Sequence, residues 1–296
     1  MATTIYQSFE KFRENLEITD NQSEAISNCR KNLVSIFAES HLSLHDQETR
    51  VIGSYARSTL IRPLSAGDVD LMIILHYGNN KESDNAEGTV KILDKFKRIL
   101  DNKYPDTPKR RDRNCITMEL ANFKLDVVPA FYNEGGYYKI PDSIDKQWIN
   151  TNPVKFAEEI TRINKAMGGS FVPLIKMVKA WNKANGDFLN GYHIECLMYH
   201  RYNLYKEGYT YDSMLKNFFE NLPNYLQNNC LDPIKFGSVD SYLGSYFDDS
   251  RKYAIKKAEK AKEISALASQ KSASGYIESS IKLWKELLGG YFPTYG

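Results

Sequence analysis

Apolar residues between Thr19 and Ser40 recur every three or four positions, which is the spacing of one face of a helix. Thr19 and Gln22 stand three residues apart at the start of this segment, as the two partners of a capping box do. The apolar positions of the stripe are Ile26, Cys29, Leu33 and Phe37. The segment therefore predicts a long amphipathic helix packed along the body of the first domain.

Short apolar runs replace the helical spacing in the next part of the chain. The run Val69–Leu75 is too apolar to have a solvent-facing side, so it predicts a strand in a sheet that helices cover. A short strand, Arg50–Ile52, and a helical turn, Tyr55–Leu60, are predicted before this run, and a helix, Thr89–Leu100, after it. Two further strands joined by a tight connection, Cys115–Leu120 and Phe123–Tyr132, complete the first half of the chain.

Strand-like patterns end near residue 150, and five segments with helical periodicity follow, separated by Gly, Pro and Asn breaks. These segments are residues 152–167, 170–186, 192–208, 211–229 and 249–270. We therefore predict an α+β protein in which a mixed-sheet domain, residues 1–150, shares a cleft with a helical domain, residues 151–296.

Composition narrows the class of protein without assigning a function. With 42% hydrophobic residues, 26% charged residues and a net charge of +2, the chain is an ordinary globular one, and any basic surface must be local. Its four cysteines lack metal-ligand spacing, no signal peptide is evident, and no apolar run approaches the roughly 18 residues of a membrane helix. These features predict a reduced, cytoplasmic protein without a membrane segment.

Three aspartates stand in or next to the apolar strands of the first half. Asp68 and Asp70 are two apart, so their side chains leave the predicted strand on the same face, and Asp126 lies inside a later apolar run. Carboxylates brought together in this way repel each other unless cations lie between them. Mg²⁺ prefers such oxygen ligands, and two ions about 3.5–4 Å apart can stabilise both the attacking and the leaving oxygen at phosphorus. The three residues are therefore candidate catalytic and metal-binding groups.

A Gly-Ser turn precedes the first aspartate pair. At Gly53 the backbone can approach a phosphate closely, and Ser54 adds a hydroxyl donor beside the free N–H groups of a following helical turn. We expect this turn to bind the β and γ phosphates of a nucleotide. Arg57 and Thr59 are placed on the short helix behind the turn, either to orient it or to contact phosphate.

Each feature alone is compatible with a purely structural role. A Gly-Ser pair is most often a turn, the Asp-x-Asp pattern is common, and Asp126 could cap a helix or form a salt bridge. The combination of Gly-Ser, a spacer, Asp-x-Asp entering an apolar strand and a third aspartate in a later strand is rare, and it favours a nucleotide site.

Residues 53–75, GSYARSTLIRPLSAGDVDLMIIL, and residues 125–131, LDVVPAF, together resemble the core of the nucleotidyltransferases of the DNA polymerase beta superfamily. More narrowly, the chain resembles the bacterial cGAS/DncV-like nucleotidyltransferases (CD-NTases of the SMODS type), whose helical half is matched by PLIKMVKAWNK, GYHIECL and LWKELLGGYFP. The resemblance covers nearly the whole chain. It implies a polymerase-beta-like core and a helical domain with the active site in the cleft between them, and the synthesis of cyclic oligonucleotide signals in bacterial antiphage defence (CBASS).

The resemblance also implies roles for residues of the helical half. Lys176 and Lys179 lie on one helix face and correspond to lysines that reach the donor triphosphate, while Tyr192 corresponds to a ring that stacks on the donor base. The alternatives are a solvated lysine face and an ordinary member of a set of 20 tyrosines. Two positions depart from the family pattern: Gly191 stands where relatives often carry serine, and Ser58 where they favour glycine.

A basic stretch in the first half suggests a second kind of partner. Its residues, which could bind an acceptor nucleotide or a nucleic acid, are Lys109, Arg110, Arg111 and Arg113. We favour a solvated loop instead. The His/Cys zinc insertion with which animal cyclic GMP-AMP synthase binds DNA has no counterpart here, so activation by long duplexes is not expected. A regulatory or effector protein encoded nearby remains a possible partner.

The sequence thus predicts a synthase that uses two Mg²⁺ ions, replaceable by Mn²⁺, to join ribonucleoside triphosphates, with ATP or GTP favoured. Three alternatives stay open: a linear polymerase acting on RNA ends or making oligoadenylate, an enzyme that transfers nucleotides to protein, and a silent nucleic-acid-binding module. A silent module would be expected to lose one or more of the acidic residues, and here Asp68, Asp70 and Asp126 all stand.

Overall fold

The chain folds into two compact units. The computed structural model describes residues 2–64, 67–133, 135–202, 208–234 and 236–296. Residues 18–157 form one unit, called the sheet unit below, and residues 1–17 with 158–296 form the other, called the helical unit. The units divide at residues 17 and 157, whereas the sequence suggested a single division at residue 150.

The sheet unit is built on a mixed sheet in which the described residues form seven strands. The strands are β1 (Leu44–Ile52), β2 (Asp68–Leu75), β3 (Lys109–Arg111), β4 (Ile116–Glu119), β5 (Lys124–Asn133), β6 (Tyr137–Asp142) and β7 (Gln147–Thr151). Their order is β1-β2-β5-β4-β3, while β6 pairs with β5 and β7. Strands β2 and β5 run parallel, and the other pairs are antiparallel. The parallel pair carries the three candidate aspartates and therefore positions the candidate site.

Helices α2 (Asp20–Ala38) and α5 (Ala86–Lys103) contribute the largest apolar faces that pack on this sheet. The Thr19 side chain accepts a hydrogen bond from the Gln22 backbone, and the Gln22 side chain caps the Thr19 backbone in return, so the predicted capping box is confirmed. Buried rings of the two helices meet in the core, where the centroids of Phe37 and Phe96 lie 4.6 Å apart. Two short helices, α3 (Gly53–Ala56) and α4 (Tyr77–Asn80), follow β1 and β2.

Several element boundaries differ from the sequence-based expectation. The predicted strand Arg50–Ile52 is the end of the longer β1, whose polar residues suit an edge strand with one neighbour. Strands β6 and β7 were not predicted, because they are short and polar at many positions and so lack an apolar run. The predicted turn of helix Tyr55–Leu60 begins earlier and is over by Ala56.

The helical unit contains α1 (Ile5–Leu16), α7 (Phe171–Ala184), α8 (Gly191–Tyr199), α9 (Tyr211–Gln227), α10 (Asp249–Ala273) and α11 (Ile277–Leu288), and the chain enters it within α6 (Pro153–Ala166). Its core includes edge-to-face rings, with the centroids of Phe9 and Trp284 5.2 Å apart. The predicted helix over residues 192–208 ends at Tyr199, and its residues 203–207 lie outside the described part of the chain. No helix in the described ranges has both the length and the apolar character needed to cross a membrane.

Candidate active site

The parallel pairing of β2 and β5 brings the three predicted aspartates to one edge of the sheet. Asp70 stands directly opposite Asp126 in the register, and Asp68 lies two residues before Asp70. Residues in register across a parallel pair, and residues two apart on one strand, point to the same face. Farther along that face the strands are apolar, with Met72 and Ala130 fully buried. The carboxylates therefore lie where a buried surface meets solvent.

Gly53 lies against the carboxylate of Asp70. The preceding residue, Ile52, pairs with Asp70 across β1 and β2, and Gly53 adopts a φ of +69°. A Cβ atom at Gly53 would come within 1.7 Å of Asp70 Oδ2. The glycine is therefore required both by the turn of the backbone and by the space that the Asp70 side chain occupies.

The turn after Gly53 is closed around one carbonyl. The oxygen of Ser54 accepts hydrogen bonds from the backbone N–H groups of Thr59 at 2.9 Å and Leu60 at 3.1 Å, and from the Thr59 hydroxyl at 3.3 Å. Arg57 is buried, with its guanidinium carbon 5.2 Å from the centre of the Phe156 ring. Arg57 and Thr59 follow α3 instead of lying on it, which corrects their predicted location. Their contacts support the turn, and a contact with phosphate stays a prediction.

Ser58 takes a backbone conformation that favours glycine. Its φ is +58°, in the left-handed region, and its side chain is exposed. This geometry gives a physical reason for the glycine that the resembling family favours at the same position.

Ser58→Gly is expected to increase the free energy of unfolding by about 0.5 kcal/mol. Relief of left-handed strain, roughly 1–2 kcal/mol, exceeds the roughly 0.5–1 kcal/mol of added chain entropy. Chemical denaturation of the variant measures the difference. Ser35→Gly, on the exposed surface of α2, provides the control and should destabilise the protein. Equal losses of stability in both variants would contradict the role given to the Ser58 conformation.

Asp126 has an electrostatic environment that disfavours its charged form. Burial and the nearby Asp68 carboxylate raise its pKa, while a hydrogen bond donated by the Thr117 hydroxyl acts in the opposite direction. The Thr117 Oγ1 to Asp126 Oδ1 distance is 2.7 Å, and Thr117 stands opposite Asp126 in the pairing of β4 with β5. The sequence analysis missed Thr117, because a lone threonine in an apolar strand carries no sign of what it faces.

The donor set suits a hard divalent cation. It consists of carboxylate oxygens alone. Burial and repulsion by Asp68 raise the pKa of Asp126, and a bound cation would offset this by stabilising the charged form. As the side chains stand, no three acidic, His or Cys groups within the described residues converge closely enough to hold an ion. Mg²⁺ is commonly bound by one or two carboxylates together with water and substrate phosphate, and the register of β2 and β5 provides such carboxylates.

The two predicted lysines of the helical unit are buried on α7. Lys176 is 4% exposed and its Nζ lies 2.6 Å from Glu17 Oε2, while Lys179 is 8% exposed and its Nζ lies 2.6 Å from Glu195 Oε1. Glu195, on α8, is fully buried. The alternative of a solvated lysine face is therefore wrong, and contact of these lysines with a triphosphate stays a prediction.

Tyr192 lies in the first turn of α8. Its backbone N–H donates to the side chain of the N-cap residue Asn190 at 2.8 Å, and its hydroxyl donates to Asp232 Oδ2 at 3.0 Å. A Cβ at Gly191 would lie 3.6 Å from Lys179 Cε, an ordinary contact, so a serine would fit at this departure from the family pattern. Stacking of Tyr192 on a base stays a prediction.

The basic stretch of the sheet unit is largely paired within that unit. Lys109 has a buried side chain and donates to the carbonyl of Thr107 at 2.6 Å. Each arginine lies within 3.6 Å of a carboxylate: Arg110 of Glu119, Arg111 of Asp94, and Arg113 of Asp142. The arginines are exposed, as expected of a solvated stretch, and residues 109–111 form β3, so the predicted loop is wrong there.

Comparison with known proteins places the chain in a family. A family model described as the Second Messenger Oligonucleotide or Dinucleotide Synthetase (SMODS) domain matches residues 2–164, which is more than half of the chain. A cyclic AMP-AMP-AMP synthase of an Acinetobacter strain is 26% identical over 271 residues, covering 85% of this chain and 76% of that protein. The CBASS oligonucleotide cyclase CdnC of Escherichia coli is 22% identical over 268 residues, covering 82% and 81%.

A solved structure shares the fold over almost the whole chain. The DncV cyclic AMP-GMP synthase of Vibrio cholerae superposes with a TM-score of 0.74 at 13% identity, covering 99% of this chain and 98% of that one. The likeness confirms the predicted α+β fold class.

Proposed function

The chain belongs to the family of second messenger oligonucleotide or dinucleotide synthetases, and we propose that it joins ribonucleoside triphosphates into a cyclic di- or trinucleotide. The similar proteins are themselves named as synthases or cyclases of such products, so the proposed activity is that of a nucleotidyltransferase. The observation that carries the proposal is the register of β2 and β5, which sets Asp70 opposite Asp126 with Asp68 on the same face.

In the proposed reaction, the 2′- or 3′-hydroxyl oxygen of one nucleotide attacks the α-phosphorus of a second. The new oxygen–phosphorus bond forms as the bond to pyrophosphate breaks, and the hydroxyl proton passes to Asp126. Asp126 is proposed for this step because it would hold the ion nearest the attacking hydroxyl. In the last transfer, a hydroxyl of the linear product attacks the α-phosphorus of its own 5′-triphosphate, releases a further pyrophosphate and closes the ring; this is the second transfer for a dinucleotide and the third for a trinucleotide.

Asp68, Asp70 and Asp126 would hold two Mg²⁺ ions, for which Mn²⁺ could substitute. When bound, such ions neutralise the charge that develops at the α-phosphate and on the leaving pyrophosphate. Asp68 and Asp70 lie next to each other on one strand face and would act as ligands of both ions. Asp126 lies on the neighbouring strand and would act as a ligand of the ion nearest the attacking hydroxyl.

The turn at Gly53 and Ser54 would bind the β and γ phosphates of the donor. Its backbone comes close to the Asp70 carboxylate, so a phosphate there would lie next to the proposed ions. Arg57 and Thr59 support the turn from behind through the contacts described above. ATP and GTP are the proposed substrates, since the similar enzymes are named for AMP-containing and GMP-containing products.

Lys176, Lys179 and Tyr192 are proposed to contact the donor nucleotide from the helical unit, the lysines at its triphosphate and the tyrosine at its base. The carboxylate partner of each lysine supports this, because an ammonium group already held in place loses little freedom when it binds phosphate.

The double variant Lys179→Met/Glu195→Gln tests that proposal. Neutralising both partners avoids leaving a buried charge unpaired, which alone would cost about 3–5 kcal/mol. We expect the KM for the triphosphate to rise about 10–100-fold, equivalent to a charge-assisted hydrogen bond of roughly 1.5–3 kcal/mol. Initial rates measured against triphosphate concentration give the value. Lys262→Met, exposed on α10, is the control, and an unchanged KM in a destabilised double variant would make the pair structural.

We place the activity in bacterial CBASS antiphage signalling in the cytoplasm, because a similar chain is a CBASS cyclase. A regulatory or effector protein encoded nearby is the partner that this setting suggests.

The decisive experiment incubates the purified protein with all four ribonucleoside triphosphates and Mg²⁺ and identifies products by mass spectrometry. A phosphatase-resistant product with the mass of a ring supports the proposal. Phosphatase-sensitive linear chains would favour the polymerase alternative, and label on the protein would favour nucleotide transfer to a side chain. RNA binding without pyrophosphate release would favour the silent module.

A further inference from the structure

We propose that Thr117 is the positioning residue for Asp126, an assignment that rests on the function proposed above. Thr117 is 2% exposed, and its hydroxyl donates to Asp126 Oδ1 at 2.7 Å. Its backbone pairs directly opposite Asp126, and the flanking pairs Ile116 with Val127 and Met118 with Leu125 fix both strands. The contact is therefore held by the sheet itself on both sides.

The direction of this hydrogen bond follows from the number of protons. An ionised carboxylate only accepts, so the single hydroxyl proton of Thr117 points to Asp126. The thiol of Cys115 lies 3.8 Å from Thr117 Oγ1 and comes two residues earlier on the chain. Cys115 also forms a side-chain hydrogen bond with Asp126, and both contacts lower the pKa of this carboxyl group. Thr117 and Cys115 thus both favour the ionised form of Asp126.

This hydrogen bond restricts the rotation of the Asp126 carboxylate. Because Thr117 holds Oδ1, the group presents a defined orientation to a cation or to the acceptor hydroxyl. Threonine suits the task, because β-branching restricts its χ1 rotamers and a short side chain in a strand has little freedom. A partner that orients a metal-binding carboxylate in this way typically contributes 10–100-fold to metal affinity or activity.

A purely structural threonine would satisfy the same hydrogen bond and affect stability alone. Thr117→Val removes the hydroxyl and keeps the shape, whereas Thr117→Ser keeps the hydroxyl. Thr89→Val is the matched control, since Thr89 is fully buried in the same unit and donates to the Ala86 carbonyl, outside the site.

Three measurements separate the two roles. They are Mn²⁺ binding to the protein without nucleotide, the Mg²⁺ dependence of pyrophosphate release, and thermal unfolding in EDTA. We expect Thr117→Val to weaken Mn²⁺ binding and raise the half-saturating Mg²⁺ concentration about 10–100-fold. Thr117→Ser should restore most of both, and Thr89→Val should alter unfolding alone.

Wild-type Mn²⁺ binding and Mg²⁺ dependence in Thr117→Val would overturn the assignment, whatever its thermal stability. Failure of Thr117→Ser to restore them would overturn it too. If the valine variant does not fold, Thr117→Ser and Thr117→Ala differ by the hydroxyl alone and pose the same comparison. A wild-type protein that releases no pyrophosphate would reject the proposed function, while the Mn²⁺ measurements would still decide the role of Thr117.

Discussion

Asp68→Ala/Asp70→Ala should lower nucleotide incorporation at least about a thousandfold, because it removes both shared ligands from a reaction that depends on charge stabilisation. The fold should persist. Asp68 is exposed and Asp70 half-buried at the start of β2, and the apolar remainder of the strand is untouched. Removal of the Asp68 charge also relieves the repulsion that helps raise the pKa of Asp126. Labelled triphosphates with Mg²⁺ measure incorporation, and circular dichroism checks the fold.

Glu87→Ala/Asp94→Ala is the matched control for this loss. It removes two carboxylates from α5 in the same unit, where they pair with Lys91 and Arg111 on the surface. Exposed pairs of this kind contribute about 0–1 kcal/mol, so this variant should stay folded and active. Full activity after loss of Asp68 and Asp70 would reject the proposed mechanism.

Gly53→Ala should lose activity far more than stability. The added Cβ would lie 1.7 Å from Asp70 Oδ2. The Asp70 side chain can rotate to relieve this clash, which backbone atoms could not do. Asp70 would therefore shift from its position opposite Asp126, and a misplacement of about 1 Å can cost about a hundredfold in rate. The left-handed backbone adds a stability cost of roughly 1–2 kcal/mol. Steady-state rates and chemical denaturation measure the two effects separately.

Gly136→Ala isolates the backbone cost. Gly136 has a φ of +79° in the same unit, and a Cβ there would meet nothing within 4 Å. The two alanine variants should therefore lose similar stability, whereas only Gly53→Ala should lose activity. Equal activity in both variants would show that the position of Asp70 does not depend on Gly53.

The proximity of the three candidate aspartates could be predicted from the sequence because each carries a local signal. Asp68 and Asp70 stand at the start of an apolar strand, where charged residues are unusual. Because they are two residues apart, their side chains lie on the same face of the strand. Gly53 was identified for a nearby phosphate, but its closest neighbour in the structure is Asp70. Contact of Gly53 with a phosphate stays a prediction, and its close approach to Asp70 became visible only with the register of β1 and β2.

Partners that are distant in sequence could not be predicted. Lys176 pairs with Glu17, 159 residues away, and no periodicity links them. Helix α1 was overlooked although Thr4 caps it through the Gln7 backbone, because its apolar residues become a core face only against the far end of the chain. Short polar strands such as β7 could not be predicted for a related reason: they are defined by hydrogen bonding to a neighbouring strand and carry no apolar pattern.

The parallel pairing of β2 with β5 has a consequence for how the site assembles. Asp70 and Asp126 are neighbours in space but 56 positions apart in sequence, and parallel strands close only after the whole intervening chain has been arranged. Until β5 joins the sheet, Asp68 and Asp70 on β2 lack Asp126. Newly synthesised chains should thus be inert until the sheet unit is complete, so that a cell would not encounter premature signal from unfinished protein.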